Sequence, residues 1–367
     1  MTAAVIEGAR LHAVPVTART TWLYAEVTGP GVTGWGELSD IPAAAAEPLL
    51  RELAGVVRGL EVADAERKLE EAVRPWTAGG DRFHRWTVLG GLATAVADAA
   101  ARAAGEPLAE HLGAFRGRVG SAPARHRIPL YANINRAMAN RTPEAAAQVA
   151  RRAVAAGFGT VKCAPFDGLP DRHRLKEGLE IARAVRDAIG PERQLLLDAH
   201  HLVSVEEVVA HADEFVALCL GWLEDAAPLG DVRALRRLAD ATGTPLAGGE
   251  FAATAEEVRP ALASGALAVL MPDVKHAGGP RRVLRLAALA ADHGVALSPH
   301  NPSGPVATAA SAHLAALLPD GPPLETMFGE VTWRGASVSP YEPLDPGTYA
   351  LNDRPGLGLT PKVPHVR

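Results

Sequence analysis

Hydrophobic and polar positions follow one pattern up to about residue 128 and another after it. Between residues 3 and 37, AVIEGARLHAV, TTWLYAEVTG and VTGWGE are β-rich runs joined by turns, one of them Gly-Pro-Gly, as in an antiparallel meander. Helical spacing then runs from about 45 to 72, with Leu49, Leu50, Leu53, Val56 and Val57 on its apolar positions. A polar, Gly-containing break at 77–82 precedes a second predicted helix over 87–105, closed by Gly105 and Pro107. Strands first and helices after predict an α+β unit over residues 1–125.

From residue 128 strand and helix patterns alternate. IPLYANIN, GTVKCA, LLLDAH, GWLED, PLAGGE, ALAVLMPD, VALSPH and LETMF read as eight strands, the last at 324–328. Seven helical stretches lie between them, two with evident N-caps at Thr142 and Ser204. This alternation predicts an α/β fold, a (β/α)7β barrel over 126–328. An open doubly wound sheet is the alternative, but it normally uses fewer repeats. The Pro- and Gly-rich residues 329–367 predict a closing segment of loop and edge strand.

Composition narrows the function classes. A hydrophobic fraction of 48% with 22% charged residues is that of an ordinary globular protein. The net charge of −5 has both signs interspersed, and no basic stripe marks a nucleic-acid partner. No 18-residue uncharged apolar run suggests a membrane span, and Glu7 and Arg10 interrupt the N-terminus as a signal peptide. Cys163 and Cys219 lack a CxxC partner and are expected to be reduced packing residues of a cytoplasmic protein.

The candidate chemistry lies at the predicted strand ends. LLLDAHH places Asp198 two positions before His200, on one face if the strand continues, with His201 turned away. Glu224 and Glu250 end the next two apolar runs, so positions 198, 224 and 250 are separated by equal steps of 26. Three carboxylates on consecutive parallel strands make an all-oxygen set suited to Mg²⁺. Lys162, Asp273, His300 and Glu325 fall at other strand ends, where barrel chemistry is found. Taken singly, each also reads as a cap, a rim salt bridge or a hydrogen-bonded filler; their coincidence is what favours a site. A cation on the three acids suits removal of a proton α to a carboxylate. His300, oriented by Asp273, is the candidate base. His200 is placed to protonate a departing β-hydroxyl, and Lys162 to neutralise carboxylate charge.

These residues resemble the enolase superfamily, in the branch of mandelate racemase and the acid-sugar dehydratases. GWGE at 34–37 is similar to its third capping-domain strand, and residues 93–113 to the helix before its barrel. Asp198, Glu224 in WLEDAAP, and Glu250 in GGE match its Mg²⁺ ligands; MPDVKHAGG carries Asp273, the partner of His300; PGLGL resembles its return to the capping domain. The resemblance implies a modified barrel under an N-terminal α+β capping domain, a homo-oligomer, and a small-molecule carboxylate substrate. DAHH resembles the D-x-H of galactonate dehydratase-like enzymes, whose His is the general acid, and SPHNPSGPV resembles their seventh strand. Glu325 lies where members place an acid that hydrogen-bonds the substrate carboxylate.

The resemblance therefore implies a Mg²⁺-dependent lyase that converts an aldonate-like sugar acid, through an enediolate, into a 2-keto-3-deoxy acid. Two departures bear on this reading. Racemases of the branch carry K-x-K on the second strand, whereas here it reads Lys162, Cys163, Ala164, which argues against a two-base racemase or epimerase. The loop APFDGLPD is unusual, and the first capping loop, PVTART at 15–20, is short. Dehydration or epimerisation of a hydroxyproline-type acid, with Lys162 and His300 as bases in the second case, is the alternative. A non-catalytic relative is a third.

Overall fold

A computed structural model of the protein describes residues 4–72, 81–115, 125–318 and 321–363. Strands β1 (Gly8–Pro15), β2 (Thr21–Gly29) and β3 (Val32–Glu37) form the antiparallel meander that the pattern predicts. Helices α1 (Ala43–Val57), α2 (Val62–Ala72), α3 (Arg82–Ala104) and α4 (Leu108–Gly113) follow. The α3 helix lies directly on β3, because Gly34 and Gly36 carry no side chain there. A Cβ at either position would run into the backbone oxygen of Ala95 or Gly91. Leu23, Ala25 and Val27 of β2 meet Leu50, Leu53, Leu89 and Leu92 of these helices in a core of their own.

The second layer is the barrel. Its strands are β4 (Arg127–Asn133), β5 (Thr160–Cys163), β6 (Gln194–Asp198), β7 (Leu220–Glu224), β8 (Leu246–Gly248), β9 (Leu267–Leu270), β10 (Ala296–Leu297) and β11 (Leu324–Met327). They pair in parallel in chain order from β4 to β10, and β11 pairs with β4. Among the described residues no ladder joins β10 to β11. Side chains close that seam instead: Ser298 Oγ donates to the Pro323 carbonyl at 3.0 Å and Asn301 Nδ2 to the Glu325 carbonyl at 2.9 Å. Tyr131, Leu196, Trp222, Ala247, Val269 and Met271 fill the interior.

Helices α5 (Pro143–Ala155), α6 (Arg174–Ile189), α7 (Val205–Ala210), α8 (Ala212–Ala217), α9 (Val232–Thr242), α10 (Ala255–Ser264), α11 (Pro280–Asp292) and α12 (Pro305–Ala316) surround the strands. Thr142 and Ser204 cap α5 and α7 as expected. After β11 the chain adds β12 (Val338–Ser339), β13 (Leu344–Asp345), β14 (Thr348–Ala350) and β15 (Thr360–Pro361). The β14 strand pairs antiparallel with the start of β4.

Two buried carboxylates tie the layers together. Glu37, at the end of β3, accepts from Gly304 N at 2.7 Å and Ala307 N at 2.9 Å, so it caps the N-terminus of α12, where an anion is favourable. Asp98 on α3 accepts from Trp35 N, from Arg102 Nε and, at 2.7 Å, from Leu357 N. Gly356 beside it has φ of +70°, and a Cβ there would overlap Asp98 Oδ1.

Four expectations need correction. The helical run over 45–72 is two helices, because the Arg58–Glu61 turn pairs with the N-terminal segment through Ile6 N to Leu60 O and Gly59 N to Ile6 O. The helix expected from 87 starts at Arg82, its first turn being held by Phe83 against Phe251 and His276; the rest of the predicted break, residues 77–80, lies outside the described residues. The helix expected from Ser204 breaks at His211, whose Nδ1 turns back on the Glu207 carbonyl. Cys163 is a buried packing residue, but Cys219 is exposed, in a left-handed turn with φ of 48°. Among the described residues no helix is long and apolar enough to cross a membrane.

Candidate active site

The barrel register decides which strand-end residues meet. Asp198 and Glu224 are direct partners across β6 and β7. Glu224 then faces Ala247 on β8, so Glu250 lies three residues further out. Equal steps in sequence do not put the three acids at equal heights. Lys162 is an interior residue of β5, not a rim residue, and is completely buried. Its ammonium sits 2.9 Å from Asp198 Oδ2 and 3.3 Å from Glu325 Oε1, and it donates to Glu224 Oε1. Glu325 occupies the second position of β11, deeper than a strand end. It accepts from Asn133 Nδ2 and from Asn301 N, each at 2.8 Å. Burial opposes its charge, but Lys162 and His300 outweigh burial and hold its pKa below the ordinary carboxylate value.

His300 and Asp273 lie beyond the ends of β10 and β9 and are joined by an isolated parallel bridge. His300 Nδ1 is 3.0 Å from Asp273 Oδ2 and Nε2 is 2.7 Å from Glu250 Oε2. Burial disfavours the imidazolium, yet Glu250 and Asp273 overcome it and raise the His300 pKa well above the ordinary value. Lys275 contacts Asp273 at 3.2 Å and Asp40 at 2.8 Å. Burial of Asp273 is likewise outweighed, by Lys275 first, and its pKa is lowered.

His200 reaches the cavity by a different route from the expected strand alternation. The strand stops at Asp198, and His200 and His201 have φ of 44° and 53°. This turn brings His200 Nε2 to 3.1 Å from Asp198 Oδ2 and Nδ1 to 2.7 Å from Asp167 Oδ1. Against burial, hydrogen bonds to Asp167 and Asp198 push its pKa up to about 11, so the ring is an imidazolium at neutral pH. His201 points away, as expected, with Nε2 3.8 Å from Asp225.

Lys162, Asp198, His200, Glu250 and His300 all line one cavity of about 620 Å³. Glu224, Asp273 and Glu325 are not among its lining residues. Glu325, expected to meet a substrate carboxylate, accepts from Asn133 and Asn301 and lies 3.3 Å from Lys162. Sequence reasoning passed over Asn133, Asn135, Arg136, Arg141, Asp167 and Arg19, which also line the wall, as does Glu330. Asn133 ends a barrel strand and Asp167 follows one, so the rule that pointed to Lys162 also covered them.

The acids suit a hard divalent cation in kind. All donors are carboxylate oxygens, and negative charge is in surplus. Burial first, then Asp198, raises the Glu224 pKa well above its ordinary value, while burial and Glu250 push Asp225 up to about 7. Such a surplus is what a bound cation discharges. Among the described residues, however, no three His, Cys, Asp or Glu side chains are arranged as a metal-binding group. Lys162 takes one oxygen from each of Asp198 and Glu224, and His300 takes Glu250. The residues fit the ion chemically, with Lys162 and His300 holding the acids in its place.

A parallel barrel with ionisable side chains gathered at one end of its strands defines an enzyme of the α/β-barrel class. The family model described as "Enolase C-terminal domain-like" matches residues 144–366. The chain therefore belongs to that family, within the enolase superfamily, and is an enzyme of the branch shared by racemase-like proteins and acid-sugar dehydratases. It is 29% identical over 351 residues to a D-galactonate dehydratase of Verminephrobacter eiseniae, covering 92% of this chain and 88% of that one. It is 28% identical to a D-galactarolactone cycloisomerase of Agrobacterium fabrum, covering 90% and 85%. Crystal structures of an enolase superfamily member from Salmonella Typhimurium (TM-score 0.83, 20% identity, 98% and 96% covered) and of a mandelate racemase/muconate lactonizing enzyme from Jannaschia sp. CCS1 (TM-score 0.84, 25% identity, 97% and 95% covered) share the fold.

Proposed function

We propose that the protein is a lyase that removes water from a sugar acid, giving a 2-keto-3-deoxy acid. The observation that carries this reading is the pair of imidazoles with separate carboxylate partners, His300 on Asp273 and His200 on Asp167. Asp198, Glu224 and Glu250 would hold Mg²⁺, which supplies positive charge to the substrate carboxylate as its α-proton leaves. His300 Nε2 accepts that proton, and Asp273 on Nδ1 fixes the ring and stabilises the imidazolium that forms. For Nε2 to accept it, Glu250 must first leave that nitrogen, and the proton that the raised pKa favours there must pass to solvent. The electron pair left at the α-carbon forms an enediolate, then expels the β-hydroxyl. His200, held in its acid form, protonates that group as the C–O bond breaks, so water departs. The enol that remains tautomerises to the 2-keto acid.

Lys162 is raised well above the ordinary lysine pKa; burial opposes this, but Asp198 and Glu224 outweigh it. It is an ammonium that balances the floor, which weighs against its use as the second base of an epimerase. We further read the enzyme as a cytoplasmic homo-oligomer acting on a small-molecule carboxylate, with no nucleic-acid or membrane partner. The test is a panel of aldonates, aldarates and hydroxyprolines with Mg²⁺, assayed for 2-keto acid with semicarbazide. Keto product from a sugar acid supports dehydration. Solvent deuterium at the α-carbon with no keto product would overturn it in favour of epimerisation, and product from a hydroxyproline alone would replace the substrate class.

A further inference from the structure

The cavity has a second concentration of charge, away from the imidazoles. Its mouth is lined by three guanidiniums: Arg19 on the loop between β1 and β2, Arg136 on the turn after β4, and Arg141 shortly beyond. Exposure ranks depth here. Lys162 and Asp198 side chains are each 1% exposed, whereas Arg136 is 27% and Arg141 25% exposed.

Little in the protein satisfies these cations. Among the described residues Arg136 makes only long contacts, 3.4 Å to Glu330 and 3.6 Å to Asp40, and Asp40 already faces Lys275. Arg141 is 3.4 Å from Asp167, a carboxylate that also serves His200, and donates to the Ala164 carbonyl at 3.3 Å, which leaves most of its five N–H donors open. Among the described residues the Arg19 guanidinium has no partner, yet its loop is held firmly. Thr17 Oγ1 accepts from Arg19 N and Thr20 N, and Thr20 Oγ1 donates to Glu330 at 2.7 Å. The backbone thus presents Arg19 from a fixed platform, tied to the barrel. Each guanidinium offers five N–H donors in a planar fork that matches a carboxylate or phosphate. Apolar lining is confined to Ala18, Pro302 and Met327, which suits a hydroxylated chain.

We propose that Arg19, Arg136 and Arg141 form a second anion subsite that holds the far end of a doubly anionic sugar acid. The reacting carboxylate lies at the floor in this arrangement, so the inference rests on the dehydration reading for which end reacts. The second anion is a terminal carboxylate, as in an aldarate, or a phosphate monoester.

The test is calorimetric titration of the full chain with Mg²⁺, using matched configurations of a hexonate, the corresponding hexarate and the 6-phosphohexonate. The wild type is expected to bind at least one doubly anionic ligand roughly tenfold or more tighter than the hexonate, a gain of one charge-assisted contact or more. The tighter of the two identifies the anion. Arg19→Gln, on an exposed loop, is expected to bring the three ligands within roughly threefold of one another. Equal or tighter binding of the hexonate overturns the proposal. So does an unchanged preference in Arg19→Gln, or the absence of binding by all three. Keto acid measured in the same samples keeps the readings separate: diacid preference without product retains the subsite and sinks the dehydratase.

Discussion

At the floor of the cavity Lys162 is fully buried and touches three carboxylates; at the mouth Arg19 is exposed and, among the described residues, pairs with none. Both regions are charged, but they use charge differently. Floor charges are paired inside the protein, where an unpaired ion costs several kcal/mol. They are therefore part of what holds the barrel together. Charges at the mouth are partly hydrated, cost little to leave open, and remain available to a ligand. The floor fixes a reaction, and the mouth is free to choose a substrate.

The largest expected effect falls at the floor's catalytic edge. His300→Asn should slow exchange of the α-proton by roughly 10²–10⁴-fold, the usual contribution of a positioned base. NMR of a turned-over sugar acid in D₂O measures it, and an unaltered exchange rate would remove His300 from the mechanism. Next, Lys162→Met leaves Glu224 without its cation and Asp198 with His200 alone. Loss of a buried ionic partner predicts a destabilisation of about 3–5 kcal/mol. A denaturation midpoint close to wild type would show that the floor does not need its ammonium.

Acid should distinguish buried groups from the mouth, whose guanidiniums do not titrate. His313 on α12 accepts from Ala109 N at 3.1 Å, and the Leu357 carbonyl takes up its other ring nitrogen. Burial lowers its pKa to about 4. A depressed histidine contributes stability that is complete above the unfolded value, near 6.5, and is lost as pH falls toward 4. The expected loss is about 1.4 kcal/mol per pH unit across that window. Thermal melts of wild type and His313→Gln measure it: the variant should lack that portion of the slope, and parallel curves would contradict the assignment. The smallest effect belongs to the mouth. Arg141→Gln breaks a contact about one-quarter exposed on both sides and should cost less than about 1 kcal/mol of stability. A larger loss in a denaturant titration would make the mouth structural and erase the contrast with the floor.

The same contrast explains what could be read from the sequence. Apolar runs that alternate with helices repeat at a nearly constant interval, so the barrel and its strand-end acids were legible. Asp198 and Glu224 in direct register bear that out. Register drift at β8 was not legible, since it depends on how β7 and β8 pair, and it carries Glu250 outward to His300. His200 faces the cavity because of two left-handed residues, a backbone state that His-His does not announce. Arg19, Arg136 and Arg141 were missed because loop arginines are ordinary surface residues until tertiary structure brings three of them to one opening.

The Asp98 hub has a consequence for biosynthesis. Translation runs from the N-terminus, so α3 and its buried carboxylate emerge early. One of that carboxylate's donors, Leu357 N, lies 259 residues further along, after every barrel strand has been made. Until then Asp98 has Trp35 and Arg102 but lacks that donor. The layer that precedes the barrel is thus sealed by a peptide that follows it, and its completion waits on the synthesis of every barrel strand.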